Sequence, residues 1–190
     1  MNINRKNDVV YLTFPEIEQL GVAQHLMSTR LGGVSEGDLG TLNLSFRRGD
    51  DPQRVLENFR RITAVLGYEP KDVVCSVQTH TTNIRRVYAE DKGKGVTREQ
   101  DYQDIDGLIT DVPGVVLSTS FADCVPLLIV DPVNRAIGLS HSGWRGTVNR
   151  MGYETVKAMR EAFGSEPGQL VAAIGPSICR KCYEVSEDVA

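Results

Sequence analysis

The segment that most constrains this chain runs from Phe121 to Gly146 and reads FADCVPLLIVDPVNRAIGLSHSGWRG. Two apolar runs, 127–130 and 136–139, flank Asp131-Pro132-Val133-Asn134, a strong turn signal. The pattern predicts a β-hairpin. With the loop centred on Pro132 and Val133, Asp131 faces Asn134, Ile129 faces Ala136 and Leu127 faces Gly138. The same register sets Cys124 opposite His141. Directly opposed residues have Cβ atoms about 4.5–5.5 Å apart, near enough for a thiolate and an imidazole to share one ion. Pro126 has no N–H for the ladder, so pairing loosens beside Cys124. A loop of odd length would shift the register.

Around the hairpin, strands are expected at 9–14, 22–27, 73–78, 84–88, 107–110, 115–120 and 170–174, the last one buried. Residues 28–41 are rich in glycine and small polar side chains and read as a loop with exposed backbone N–H groups. Asp50 or Asp51 can cap a helix with Pro52 in its first turn. Val55, Phe59, Ile62 and Leu66 share its inner face, and Gly67 stops it. Residues 91–104 form a charged loop. A second helix is expected over 147–163, with Val148, Thr155, Met159 and Phe163 inward and Gly164 ending it. The whole reads as one α/β domain over residues 1–190, of α+β arrangement, with a mixed sheet and flanking helices. Ser186 looks like a helix N-cap with Glu187 and Asp188 in a first turn. A helix that starts and has no body leads us to expect that a C-terminal part is missing.

Charge and hydropathy narrow the partners. A net charge of −4 argues against general nucleic-acid binding, which favours a basic surface. No apolar run approaches the ~20 residues of a membrane span, and the polar start MNINRKN is not a signal peptide. A cytoplasmic location is expected. There the four cysteines, Cys75, Cys124, Cys179 and Cys182, read as thiols and not as a disulfide framework.

The chain has three histidines, His25, His80 and His141. His80, Cys124 and His141 each fall at or beside the end of an apolar strand. Taken singly, each reads as a polar strand end or a small core thiol. Taken together, two imidazoles and a thiolate suit Zn²⁺ and leave a fourth position open for water or substrate. Zinc with an open position activates water near neutral pH, so such a site is catalytic in character. Asp106 or Asp123 can orient a ligating imidazole. A metal-free reading uses the same atoms, with Cys124 as a nucleophile activated by His141, as in a Cys-His hydrolase or amidase. A third reading is a non-catalytic regulatory module whose metal is structural.

Cys179-Arg-Lys-Cys182 is a lone CxxC without the second ligand pair that a structural zinc site needs. It reads as a pair of buried or idle thiols more readily than as a redox motif. Arg30, beside Gly32-Gly33, and Arg47-Arg48, shortly after Asn43, are placed as guanidinium groups next to glycine-rich backbone that suits phosphate. Arg145 follows Trp144 near the proposed metal. Trp144 can stack on a flat base or serve as packing. Each arginine alone reads equally as an ordinary surface residue.

The motifs STRLGGVS (28–35), NLS (43–45), QTH (78–80), DGLITD (106–111), ADCVPL (122–127), HSGWRG (141–146), IGPSI (174–178) and CYEV (182–185) occur in this order. With these motifs the chain closely resembles the bacterial family long called multicopper polyphenol oxidase or laccase-domain proteins. That family is now understood as zinc-binding purine nucleoside phosphorylases with adenosine deaminase activity. The resemblance runs from about residue 22 to the end. It implies metal ligands at His80, Cys124 and His141 and an α/β fold with a mixed sheet. It also implies phosphorolysis of adenosine, inosine, guanosine and methylthioadenosine, deamination of adenosine, and a homodimer. Arg48 first, then Arg30 and Arg47, are the expected phosphate ligands. Ser142 stands where the family usually has alanine, and Cys179-Arg-Lys where it tends to have Gly-Pro-Cys. Family members also continue well past the last residue here. Three histidines cannot furnish the several copper centres of a multicopper oxidase. Copper can still compete for the one nitrogen–sulfur site, so a copper-dependent polyphenol oxidoreductase is a minor alternative.

Overall fold

The computed structural model describes residues 1–187. In chain order the elements are β1 (Asn2–Lys6), β2 (Val9–Thr13), α1 (Pro15–Glu18), β3 (Met27–Ser28), α2 (Pro52–Leu66), β4 (Val73–Cys75), β5 (Ile84–Arg86), β6 (Gly107–Thr110), β7 (Val116–Ser118), β8 (Val125–Asp131), β9 (Ala136–Ser142), α3 (Trp144–Val148), α4 (Met151–Phe163) and β10 (Val171–Ile174). The central sheet has five strands in the order β10-β8-β9-β6-β5, antiparallel except for the β5–β6 pair. A three-stranded antiparallel sheet, β1-β2-β3, and a parallel pair, β4-β7, complete a mixed α/β domain with flanking helices.

The two longer helices follow their sequence signals closely at three of four ends. Asp51 Oδ1 accepts from the Gln53 N–H at 2.8 Å, which satisfies one donor of the first turn of α2. Gly67 leaves that helix at a φ of 82°, the left-handed geometry of a C-terminal cap. Val55, Phe59 and Ile62 are buried as the periodicity requires, and Leu66 is half-buried at the edge. α4 ends at Gly164 and lays Thr155 and Met159, both fully buried, on β9. Gly138 makes that approach close, since a Cβ there would lie 3.1 Å from Met159 Sδ.

The single helix expected over 147–163 is instead two. Arg150 takes a left-handed φ of 62° between α3 and α4, so the chain turns before α4 reaches the sheet. Val148, expected inward, is exposed as a result. The strand expected at 22–27 shrinks to β3 because the His25 ring accepts the Phe14 N–H at 2.7 Å and takes the place of a backbone partner. β1 is a strand without a sequence signal: its run NINRK has no apolar alternation, and it pairs with β2 through the backbone ladder and one side-chain hydrogen bond, Asn4 Nδ2 to Thr13 Oγ1 at 2.8 Å. β10 is an edge strand, not a buried one, with Ala173 buried and Ile174 exposed. The helix expected to open at Ser186 runs onto 188–190, outside the described residues.

The hairpin forms, but its register slides by two residues. Asp131 faces Ala136 instead of Asn134, Ile129 faces Gly138, and Leu127 faces Ser140. The cause is a four-residue loop built on Asp131. Its carboxylate accepts from the Val133 and Asn134 backbone N–H groups and from Asn134 Nδ2, and Arg135 turns through a φ of 54°. Pro126, not Cys124, therefore lies opposite His141. Because side chains alternate with a period of two, a slip of two leaves every residue on its expected face. Among the described residues no helix is long and apolar enough to cross a membrane.

Candidate functional site

His141 sits near the end of β9, 4% exposed, and the Asp106 backbone carbonyl accepts its N–H at 2.8 Å. Asp106 immediately precedes β6 and is fully buried. One carboxylate oxygen, Oδ1, lies 2.8 Å from His141 Nδ1 and also accepts the His80 N–H at 3.1 Å. The other, Oδ2, accepts from the backbone N–H groups of Thr79 and Thr81 and from the Thr81 hydroxyl. Burial pushes this carboxyl upward, but the converging donors outweigh it and hold it below the ordinary carboxylate range. One acid thus fixes the His141 ring and shapes the turn that carries His80. His80 itself adopts a left-handed φ of 65°.

Cys124 reaches the same place from the loop before β8. Gln78 staples that loop to the His80 turn, donating through Nε2 to the Ser120 carbonyl and accepting the Ser120 N–H at 2.8 Å. His80 Nε2 lies 4.0 Å from Cys124 Sγ, and the His80 and His141 rings meet edge to face with centroids 5.0 Å apart. The three potential ligand atoms all fall within 4.8 Å of one another, so the cluster can hold a metal ion. With His141 Nδ1 engaged by Asp106, its Nε2 is the nitrogen left for a metal, the usual arrangement of a carboxylate-oriented ligand.

Geometry weighs against the metal-free Cys-His reading. Cys124 Sγ lies 4.0 Å from His80 Nε2, not at true hydrogen-bond distance, and no hydrogen bond joins it to His141, the base this reading needs. Burial, then the Asp123 and Asp106 charges, push the Cys124 thiol up from its ordinary value. A bound cation reverses that, because a coordinating thiol is deprotonated outright.

Gly143 is a contributor absent from the residues singled out by sequence. A Cβ on it would lie 2.7 Å from His80 Cδ2 and 3.3 Å from Cys124 Sγ. Only a hydrogen fits beside His80 and Cys124, and HSGWRG carries that signal in the glycine two places after His141. Gly143→Ala is expected to push the exposed His80 ring out of the cluster. Overpacking costs about 1–3 kcal/mol, which, falling on the metal-bound state, is about ten- to a hundredfold in affinity. Competition with a chromophoric chelator measures it, and an unchanged affinity would show that the close approach does not matter.

The cluster opens into a cavity of about 1470 Å³ whose lining includes Arg30, Asn43, Arg48, Phe121, His80, Cys124 and His141. Phe121 stands beside His141, with ring centroids 5.8 Å apart. The other expected ligand-binding residues divide. Arg30 is held by its own loop, with Nε and Nη2 donating to the Gly40 carbonyl and Nη2 also to that of Asp38. Asn43 is tied to Ser45 and Asp50. Arg47 is exposed and outside the cavity lining. The Arg145 guanidinium lies over the Trp144 ring at 4.3 Å, and neither residue lines the cavity. Asp123, exposed at a φ of 76°, shapes the loop before Cys124.

The family model for multi-copper polyphenol oxidoreductase laccase matches residues 24–190. The chain belongs to this family. A purine nucleoside phosphorylase of Deinococcus radiodurans is 43% identical over 166 residues, covering 87% of this chain and 61% of that protein. The adenosine deaminase RL5 of an unknown prokaryotic organism is 31% identical over 181 residues, covering 92% of this chain and 69% of its own length. The crystal structure of the hypothetical protein YfiH of Bacillus licheniformis superposes with a TM-score of 0.89 at 31% identity, over 98% of this chain and 69% of that one. The chain spans about three fifths of the length of the first curated relatives it matches. The copper in the family's name has a narrow footing in these residues: among those described, His80, Cys124 and His141 form the one cluster of its kind.

Proposed function

We propose that this chain carries the metal site of a zinc-dependent purine nucleoside phosphorylase that also deaminates adenosine. The observation that carries the reading is the cluster itself, two imidazoles and a thiol within 4.8 Å at the wall of a large cavity. The donor set fits zinc, since nitrogen and sulfur ligands with an open fourth position are typical of its catalytic sites. The names of the relatives, phosphorylases and a deaminase, support the substrate class. When bound, zinc supplies a Lewis acid at neutral pH.

The residues of the chain do the rest. Asp106 holds His141 in the tautomer whose Nε2 is free, and it holds the His80 turn in place. Arg48 lines the cavity and is our choice for binding phosphate, because Arg30 is already committed to carbonyl oxygens of its loop. Phe121 offers an apolar ring face on which a purine can lie. In phosphorolysis a phosphate oxygen attacks ribose C1′ as the N-glycosidic bond breaks. Binding both partners in one cavity gives the reaction its proximity term.

Chromatography of inosine and adenosine incubated with zinc-replete protein, with and without phosphate, tests the reading. Hypoxanthine and adenine should appear only when phosphate is present, with inosine formed from adenosine in either case. If neither nucleoside is consumed, the binding-module reading takes its place.

A further inference from the structure

The motif Cys179-Arg-Lys-Cys182, which the proposed activity leaves unused, is not buried. Both thiols are exposed, and their sulfurs lie 3.3 Å apart. The backbone explains the contact. The N–H groups of Cys182 and Tyr183 both bond the Cys179 carbonyl, at 3.0 and 3.1 Å, closing a tight turn. A turn with this i to i+3 bond brings its end Cα atoms within about 7 Å, inside most of the range that a disulfide spans. The turn itself is anchored. The Gly175 N–H bonds the Pro126 carbonyl and the Ile178 N–H bonds the Asp123 carbonyl, extending the β10–β8 pairing toward Cys124.

We propose that Cys179 and Cys182 form a reversible thiol–disulfide couple that exchanges with low-molecular-weight disulfides. Cys179 is the attacking sulfur. Hydrogen bonds from the Cys182 thiol and from the Cys182 and Lys181 N–H groups lower its pKa, while its contact with Cys179 raises that of Cys182. Arg180 and Lys181 add positive charge beside it, which favours a thiolate and attracts an anionic small disulfide. In the first step the Cys179 thiolate attacks one sulfur of the small disulfide. That S–S bond breaks, a mixed disulfide forms on Cys179, and the other half leaves as a thiolate and takes up a proton. Cys182 then gives up its proton and attacks the Cys179 sulfur, closing the protein disulfide and releasing the second small thiol. The protein dithiol loses two electrons and the small disulfide gains them. Cys75 is unsuited to this chemistry, because burial pushes its thiol up to about 11.

The test is equilibration of the zinc-loaded protein with glutathione buffers of rising disulfide fraction, followed by acid trapping, alkylation and peptide mass analysis. The expected result is a peptide spanning 179–182 that becomes lighter by two hydrogens and escapes alkylation, while the Cys75 and Cys124 peptides remain alkylated. Cys182→Ser should accumulate a glutathione adduct on Cys179, since the second step is blocked. Dithiothreitol should reverse both changes. A 179–182 peptide that stays fully alkylated in the most oxidising buffer would overturn the proposal. So would an adduct in Cys182→Ser that sits on Cys124 instead of Cys179.

Discussion

Cys124→Ala is expected to lose both proposed activities, phosphorolysis and deamination, falling to the background rate. The variant keeps two imidazoles but no anionic ligand, and the thiolate is the donor that both neutralises charge and favours zinc over harder cations. Folding should survive, because Cys124 is half-buried in the loop before β8 and its side-chain contact is with His80. A stability change under about 1 kcal/mol is expected for such a position. Metal content after dialysis against a weak chelator, urea unfolding and the two activity assays together separate loss of site from loss of fold. Full phosphorolysis in a folded, zinc-free Cys124→Ala protein would end the idea that one metal site serves both reactions. A covalent thiol adduct on wild-type Cys124 during turnover, formed without metal, would favour the hydrolase instead.

Much of this fold is legible in the amino-acid sequence because its signals are local. Asp51, Pro52 and Gly67 mark α2 through chemistry confined to its own ends. The hairpin is equally local, and its slip of two marks the limit of local signals. Whether a loop holds two residues or four depends on where the Asp131 carboxylate finds donors, and no alternation pattern encodes that. The slip is harmless to the metal cluster only because it is even. The break at Arg150 is invisible for a related reason: a left-handed arginine carries none of the marks of a glycine or proline, and it is held there by how α3 and α4 meet β9. Arg30 is ambiguous in sequence because a guanidinium beside glycines is as well placed for nearby carbonyl oxygens as for phosphate. His25 shows the same ambiguity in a histidine, which here accepts the Phe14 N–H and is not one of the three clustered side chains.

Asp106→Asn isolates what the carboxylate does, since it keeps shape and removes charge. Five donors or ring atoms converge on the two oxygens: the N–H groups of Thr79, His80 and Thr81, the Thr81 hydroxyl, and His141 Nδ1. An asparagine must turn an NH₂ toward one side of that set. Facing Thr79 and Thr81, it meets two N–H donors and leaves them unsatisfied in the interior, at about 1–3 kcal/mol for each buried group left without a partner. Facing His80 and His141, it meets one N–H and drives Nδ1 of His141 to accept. The proton then moves to Nε2, the nitrogen the metal needs. Either choice costs the site: the first loosens the turn that carries His80, and the second blocks His141 as a ligand until its tautomer is reversed. Zinc affinity should fall by about ten- to a hundredfold, the usual loss for a partner behind a ligating histidine. Unfolding midpoints should fall as well. Chelator competition reads the first quantity and urea denaturation the second. An Asp106→Asn protein that binds zinc as tightly as the parent would mean that the Asp106–His141 contact positions the fold and not the ligand.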